Sequence, residues 1–479
     1  MFKDAITMLA LYVMPLLQIV GILSAVHAVM YVRSPRGVVG WVISLVTVPW
    51  IAIPLYWIFG RYRFQGYVKA RRLGNSRLNA LVREVNQKLE PARLDYDHPH
   101  QVHYNFYESL AGLKATNGNR ITLLSNGEEL FDTMFRAVES ARHYVLIQFF
   151  IVNDDELGRR FQQLLMRKAE QGVKVYLLID DIGSRRLPAR YYRKLNASGV
   201  RAFPFRSSKG LIPRLQVNFR NHRKTVIVDG RMAYTGGFNI GNEYLGKTKK
   251  FGVWRDTHVE IVGPAVQSMQ IPYLEDWYWI TQEMLELEWV PRGAGPDNQD
   301  LLVVPTGPAD DLETCHLFFL ELIDSATDRL WICSPYFVPD QGLVKAIQRA
   351  AMRGVDVRIL IPAKPDHLLV YLSAFSYFDE MFKVGVKLFR YQPGFMHQKV
   401  LLVDQRLASV GSANLDNRSC FLNFELGVLT ADRIAVGEVE SMLKNDFERS
   451  VAITSEEYHS RSFWFKFCVR SARILSPLQ

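Results

Sequence analysis

The sequence predicts an α/β protein of two pseudo-symmetric domains, each a mixed, largely parallel sheet flanked by helices, behind an N-terminal hairpin of two transmembrane helices. Three observations carry this. Two apolar runs of membrane-spanning length open the chain. Strand-like apolar runs then alternate with amphipathic helical stretches. Finally, one pattern occurs twice, as NHRKTVIVDGRMAYTGGFN (221–239) and MHQKVLLVDQRLASVGSAN (396–414), its histidines 175 positions apart (397 minus 222).

From Ala5 to Val32 the strongly polar side chains are Gln18 and His27, and a second apolar run extends from Val38 to Phe59. A helix of about 20 apolar residues crosses a bilayer core. Residues 1–62 are therefore expected to form a transmembrane hairpin, with Tyr31, Trp41, Trp57 and Tyr62 near its interfaces. A cleaved signal beginning at Lys3 would explain only the first run. Arg61, Arg63, Lys69, Arg71, Arg72 and Arg77 outweigh Arg33 and Arg36 of the short loop, which places both ends and the remaining bulk in the cytoplasm.

Residues 63–110 read as a charged connector, 111–290 and 301–479 as the two domains, and VPRGAGPDNQD (290–300) as the linker between them. In the first domain YVLIQFFIV (144–152), ELGRRFQQLLMRKAEQG and VKVYLLID form strand, helix and strand; RLWICSPYFV (329–338), GLVKAIQRAAMRG and VDVRILIP repeat the order. AVQSMQIPYLEDW (265–277) parallels AVGEVESMLKNDF (435–447) without a gap. The net charge of +10 points to an anionic partner, a nucleic acid or an acidic lipid surface. Cys315, Cys333, Cys420 and Cys468 are scattered and suggest neither a disulfide framework nor a zinc site.

Side chains alternate along a strand, so His222 and Lys224 face one side, as do His397 and Lys399. With Asp229-Gly230 as a two-residue turn, Val228 pairs with Arg231 and Gly237 falls opposite His222. The same count puts Ser412 opposite His397, with Asn239 and Asn414 just beyond. Asp229 would then lie roughly 20 Å from His222, so Asp229 and Asp404 are expected to hold turns rather than touch substrate. An imidazole, an ammonium, small-residue backbone donors and an amide suit a phosphoryl group. One half offers one histidine, so two facing halves complete a site with a nucleophile and an acid. Asp256 and Glu425 are the candidates to orient the imidazoles; His258, unmatched in the other half, reads as structural.

These residues resemble the signature His-x-Lys-x4-Asp-x6-Gly-Ser-x-Asn of the phospholipase D superfamily, here used twice, with Gly237 where that family often has Ser. More narrowly, RSPRGVVGW, NFRNHRK, TGGFNIGNEY, WRDTHV, SPYFVPD and YQPGFMHQK make the chain similar to bacterial cardiolipin synthases of the two-motif type. The resemblance implies two phospholipase D-like domains and phosphatidyl transfer between two phosphatidylglycerol molecules at the inner membrane. It implies no metal or other cofactor, and no nucleic-acid partner. Its catalytic set maps onto His222, Lys224, Asp229, His397, Lys399 and Asp404, its phosphate ligands onto Gly237, Asn239, Ser412 and Asn414, and its nucleophile onto His222. A membrane-anchored phospholipase D, transfer to another alcohol, a nuclease and an inactive lipid-binding scaffold are the alternatives. FPFRSSKGLIPRLQVNFRNH (203–222) and RSFWFKFCVRSARIL (461–475) interleave basic and apolar residues; for the tail, an anionic interface and packing on the core are both open.

Overall fold

A computed structural model of the chain describes residues 2–32, 34–60, 67, 80–94, 104–206 and 218–479. The arginines and lysine from 61 to 77 and Arg33, most of the expected connector, and residues 207–217 of the basic-apolar segment lie outside them. The described residues up to 67 form one compact body, and those from 80 to 206 and from 220 to 479 form a second.

In the first body the opening run is one helix, Phe2–Tyr31. Its segment Leu11–Tyr31 is long and apolar enough to cross a membrane. The second run is not one helix, contrary to the expected pair of spanning helices. It breaks into Pro35–Thr47 and Pro49–Phe59. The cause is local: proline has no N–H and drives the residue before it out of the α region, and Val48 sits at φ −132° and ψ 58°. Polar contacts knit the three helices. The Gln18 amide donates to the Val46 carbonyl (2.8 Å), Trp57 Nε1 donates to Ser24 Oγ (3.2 Å), and His27 Nδ1 shares a hydrogen bond with Tyr56 Oη (2.7 Å).

The second body is built on one sheet that runs through both halves. The first half supplies β1 (Thr116–Leu124), β2 (Tyr144–Phe149), β3 (Lys174–Asp180), β4 (Arg201–Phe205), β5 (Arg220–Asn221), β6 (Thr225–Val228), β7 (Met232–Gly236), β8 (Trp254–Arg255) and β9 (His258–Val262). The second supplies β10 (Gln299–Thr306), β11 (Arg329–Cys333), β12 (Phe337–Val338), β13 (Asp356–Pro362), β14 (Lys387–Tyr391), β15 (Phe395–Met396), β16 (Val400–Val403), β17 (Leu407–Gly411), β18 (Leu415–Asp416), β19 (Asn423–Thr430) and β20 (Ser450–Ile453). The spatial order is β20-β14-β13-β11-β16-β17-β19-β10-β1-β9-β7-β6-β2-β3-β4, and the halves join where β1 meets β10 antiparallel.

Helices flank the sheet as the repeat predicts, and β2–β3–β4 and β11–β13–β14 are parallel, being joined by crossover helices. The middle is antiparallel, because the repeated motif is a hairpin and the halves join through the antiparallel pair β1–β10, flanked by β9 and β19. That antiparallel share is larger than strand–helix alternation suggested. The continuous apolar run YVLIQFFIV supplies β2, every residue of which is inside. Each half thus lays its motif hairpin beside a largely apolar strand, β2 or β11.

Candidate functional site

The motif hairpins have a three-residue loop rather than the expected two. Val228 pairs with Met232 and Val403 with Leu407, so the register is offset by one from the sequence count. Asp229 (φ 52°) and Gly230 (φ 60°) take the left-handed turn, and Asp404 (φ 55°) opens the other. The correction matters less than it would on a long ladder, because the pairing stops at Thr225 and Val400. His222 and His397 lie beyond it.

There the chain leaves its own half. β5 pairs parallel with β19, and the His222 amide donates to the Phe424 carbonyl (2.9 Å). β15 pairs parallel with β8, and the His397 amide donates to the Arg255 carbonyl (2.7 Å). The two short crossings bring each histidine to the other half's carboxylate. His222 Nδ1 lies 2.9 Å from Glu425 Oε2, and His397 Nδ1 lies 2.7 Å from Asp256 Oδ2. With Nδ1 engaged, Nε2 of His222 is left for chemistry, while at His397 the Lys399 ammonium stands 3.2 Å from Nε2.

Burial and charge then set the protonation states. Burial pushes the His222 imidazole down to about 4 despite Glu425, and His397 is lowered by burial and by Lys399. Burial brings the Lys224 ammonium down to about 7 and that of Lys399 to about 8. Burial alone would raise the acids, but His222 and Lys224 hold Glu425 low, and Lys399 and His397 hold Asp256 low. Lys399 also depresses His222 and Lys224 across the halves, which puts both motifs in one electrostatic pocket. Aromatic rings wall it: Phe150 stands edge-on to His222 at 4.9 Å, and Trp254 lies 5.2 Å from His397.

The two carboxylates are held differently. Glu425 accepts from Ser412 Oγ (2.5 Å), Ser419 Oγ (2.9 Å) and the Asn423 amide (3.1 Å). Asp256 accepts from the Thr257 backbone N–H (2.8 Å) and packs on Gly237, where a Cβ would stand 1.9 Å from Asp256 Oδ1. Gly237 is therefore glycine because Asp256 occupies its side-chain space. Ser412, expected as a phosphate ligand, instead spends its hydroxyl proton on Glu425 and accepts from the Leu426 N–H (3.0 Å). Asn239 is also committed elsewhere: its Oδ1 accepts from the Ile151 N–H (3.0 Å) and its amide donates to Tyr244 Oη (3.1 Å). Asn414 keeps a buried Oδ1 without a hydrogen-bond partner, an acceptor that a phosphate oxygen cannot satisfy, so any hold on a phosphate would come from its amide N–H.

Asp229 and Asp404 are not in the pocket. Asp229 accepts from the backbone N–H groups of Arg142, His143 and Tyr144 (2.8, 2.8 and 2.9 Å), and Asp404 from those of Thr327, Asp328 and Arg329 (3.2, 2.8 and 3.0 Å). Each pins its hairpin turn to the start of β2 or β11. Burial would raise the Asp404 carboxyl, yet the Arg329 and Asp328 donors keep it low. His258 accepts from the Phe238 N–H (3.3 Å), a structural contact.

Sequence reading missed the residues behind the motif. Arg223, between His222 and Lys224, bonds Asp276 (2.8 Å), and Gln398, between His397 and Lys399, bonds Asp446 (2.9 Å). Asp276 and Asp446 occupy aligned places in the parallel strings 265–277 and 435–447, so the repeat carried this signal. Tyr336 was also passed over: it donates to Asp366, and its ring stands edge-on to His397 at 6.4 Å.

Known proteins bear on this geometry. The family model described as "Cardiolipin synthase, PLD-like domain" matches residues 134–265 and 319–449. The chain is 44% identical over 470 residues to Cardiolipin synthase A of Pseudomonas putida (strain GB-1), covering 98% of each. It is 46% identical to Cardiolipin synthase A of Pseudomonas aeruginosa (strain LESB58), covering 96% of this chain and 94% of the relative. Among solved structures, the phosphatidylserine synthase of Haemophilus influenzae Rd KW20 shares the fold at 16% identity, with a TM-score of 0.54 over 75% of this chain and 95% of that one.

Proposed function

The chain belongs to the cardiolipin synthase family with paired PLD-like domains, and from that premise we propose that it joins two phosphatidylglycerol molecules into cardiolipin and glycerol at the pocket between its halves. It is a phosphatidyltransferase. The observation that carries the mechanism is the crossed grip, in which Glu425 holds Nδ1 of His222 and Asp256 holds Nδ1 of His397. His222, held neutral by burial, attacks phosphorus of the first lipid through Nε2. The bond from phosphorus to the head-group glycerol breaks, and that oxygen takes a proton from His397. An anionic phosphodiester beside His397 raises its affinity for that proton. A hydroxyl of the second phosphatidylglycerol then returns a proton to His397 and attacks phosphorus. The phosphorus–nitrogen bond breaks and cardiolipin leaves. Lys224, Lys399 and Asn414 hold the nonbridging oxygens, and Tyr336 frames the His397 side.

The first body anchors the chain in the bacterial cell membrane, with the broken second run completing a second pass and the catalytic body in the cytoplasm. The cationic excess after residue 60 supports that orientation. Phosphatidylglycerol carrying labelled head-group and backbone glycerols tests the reaction: cardiolipin and free glycerol are expected in equal amounts, and phosphatidic acid without cardiolipin would overturn the transferase reading. In His397→Ala given a diester with an acidic leaving alcohol, labelled phosphate should accumulate on His222. Label at no site, or on Lys224, would sink the assignment of the nucleophile.

A further inference from the structure

The tail helix Phe463–Ile474 has two apolar faces, and the body of the protein covers one of them. On the inner face Phe465, Val469 and Ala472 turn toward the helix Leu368–Phe382. The Phe465 ring meets Phe375 edge-on at 5.3 Å, and Val469 and Ala472 are buried. Arg473 fastens the pair, donating to the Ser376 carbonyl (3.1 Å) and to Glu380 (2.7 Å) with its guanidinium over the Tyr377 ring. This settles half of the question the sequence left open: the tail does pack on the core.

The outer face is apolar as well. At 3.6 residues per turn Phe463, Phe467 and Ile474 form one stripe, with Trp464 beside it. Their exposures are 73, 54, 78 and 71%. A helix on a solvated surface carries polar residues at those positions, and three large aromatics side by side form a patch of the kind that marks a binding surface. Lys466 and Arg470 flank the stripe, and among the described residues no carboxylate pairs with either. Arg461 and Arg473 are engaged by Glu457 and Glu380.

The partner helix leads from the tail toward the site. It opens with exposed Leu368 and Leu369, immediately after Asp366 and His367. Asp366 is the acceptor of the Tyr336 hydroxyl beside His397. Leu368 lies seven residues, roughly 10 Å along the helix, from the Phe375 contact. One packed pair of helices therefore runs from the rim of the pocket to the two-faced tail.

We propose that the tail helix, with the start of Leu368–Phe382, is an interfacial docking surface for an anionic bilayer, one that rests the mouth of the pocket on the lipid it draws from. Phe463, Trp464, Phe467 and Ile474 enter the boundary between head groups and acyl chains, where aromatic side chains are favoured. Lys466 and Arg470 meet lipid phosphates. Charge complementarity selects the occupant, because an apolar stripe edged by cations that no carboxylate neutralises, Lys466 meeting only the His459 carbonyl (2.7 Å), matches anionic head groups over acyl chains. The inference concerns where the catalytic body rests, and it stands whichever group the pocket transfers.

Cys468 offers the test, being the exposed cysteine of four. A polarity-sensitive fluorophore on Cys468 of the full chain is compared in nanodiscs of phosphatidylcholine alone and of phosphatidylcholine with phosphatidylglycerol. Emission should shift to the blue with the anionic lipid, and Phe463→Ser/Trp464→Ser/Phe467→Ser should abolish the shift. The same triple variant should lose about tenfold in transfer on bilayers while keeping its activity in mixed detergent micelles. Identical emission in both nanodiscs would overturn the proposal. So would a variant whose bilayer and micelle activities fall together with the shift intact. A variant that converts a dimer to a monomer without changing the shift would reassign the stripe to a contact between copies. Loss of cardiolipin formation with the shift preserved in the unmodified protein would count against the proposed reaction and not against docking.

Discussion

At Gly237 the absent side chain is itself a functional feature. A methyl group there would meet Asp256 Oδ1 at 1.9 Å, so Gly237→Ala should displace the carboxylate that orients His397. Overpacking of this kind costs about 1–3 kcal/mol, and kcat should fall at least tenfold, read by cardiolipin formation. Ser412→Ala, at the corresponding place, removes one of several donors to Glu425 and should cost much less. Glu425→Gln and Asp256→Asn keep shape but hold the wrong imidazole tautomer; each should lower kcat by about a hundredfold or more. The protonation states predict a bell for kcat/KM. Below about pH 4 His222 is protonated and has no lone pair to offer, so the acid limb lies there. On the alkaline side His397, which must hold the proton it gives to the leaving glycerol, is lowered by burial and by Lys399, so kcat/KM falls first as His397 loses that proton. The loss of charge from Lys224 and then Lys399 between about 7 and 8 deepens the fall. An alkaline limb above pH 10 would show that neither lysine is depressed.

The motif hairpin is an element fixed at its turn and released at its open end. Asp229 and Asp404 secure the turns by accepting three backbone N–H groups each. Asp404→Ala leaves those donors unsatisfied at about 1–3 kcal/mol. The melting temperature should drop by a few degrees while the pH profile of the remaining folded enzyme keeps its shape; a displaced profile would mean that the aspartate acts in the pocket after all. What the sequence made legible here is instructive. Two copies of His-x-Lys at one spacing identified the element and both histidines, and strand length alone excluded the aspartates from the chemistry. Register was not legible, since one bulged residue in the loop moves every pair and Asp-Gly is compatible with loops of two or three. Nor were the crossings: β5 and β15 are two residues each, too short for any periodicity, and their partners lie in the other half. The break in the second apolar run was written in Pro49 but overridden by its uniform hydropathy.

Across the whole molecule the two halves act as one catalytic body, with a sheet that passes through both and a pocket that neither can close alone. Either half produced separately should bind no phosphate analogue and transfer nothing, and mixing the two should restore activity only if β1 and β10 reunite. The crossed grip also has a consequence in time. His222 is translated 203 positions before Glu425, and Asp256 waits 141 positions for His397. A ribosome that has delivered the first half has made His222 without the Glu425 carboxylate that holds its Nδ1. On the proposed mechanism, chains cut short by proteolysis or stalled translation should therefore be chemically silent.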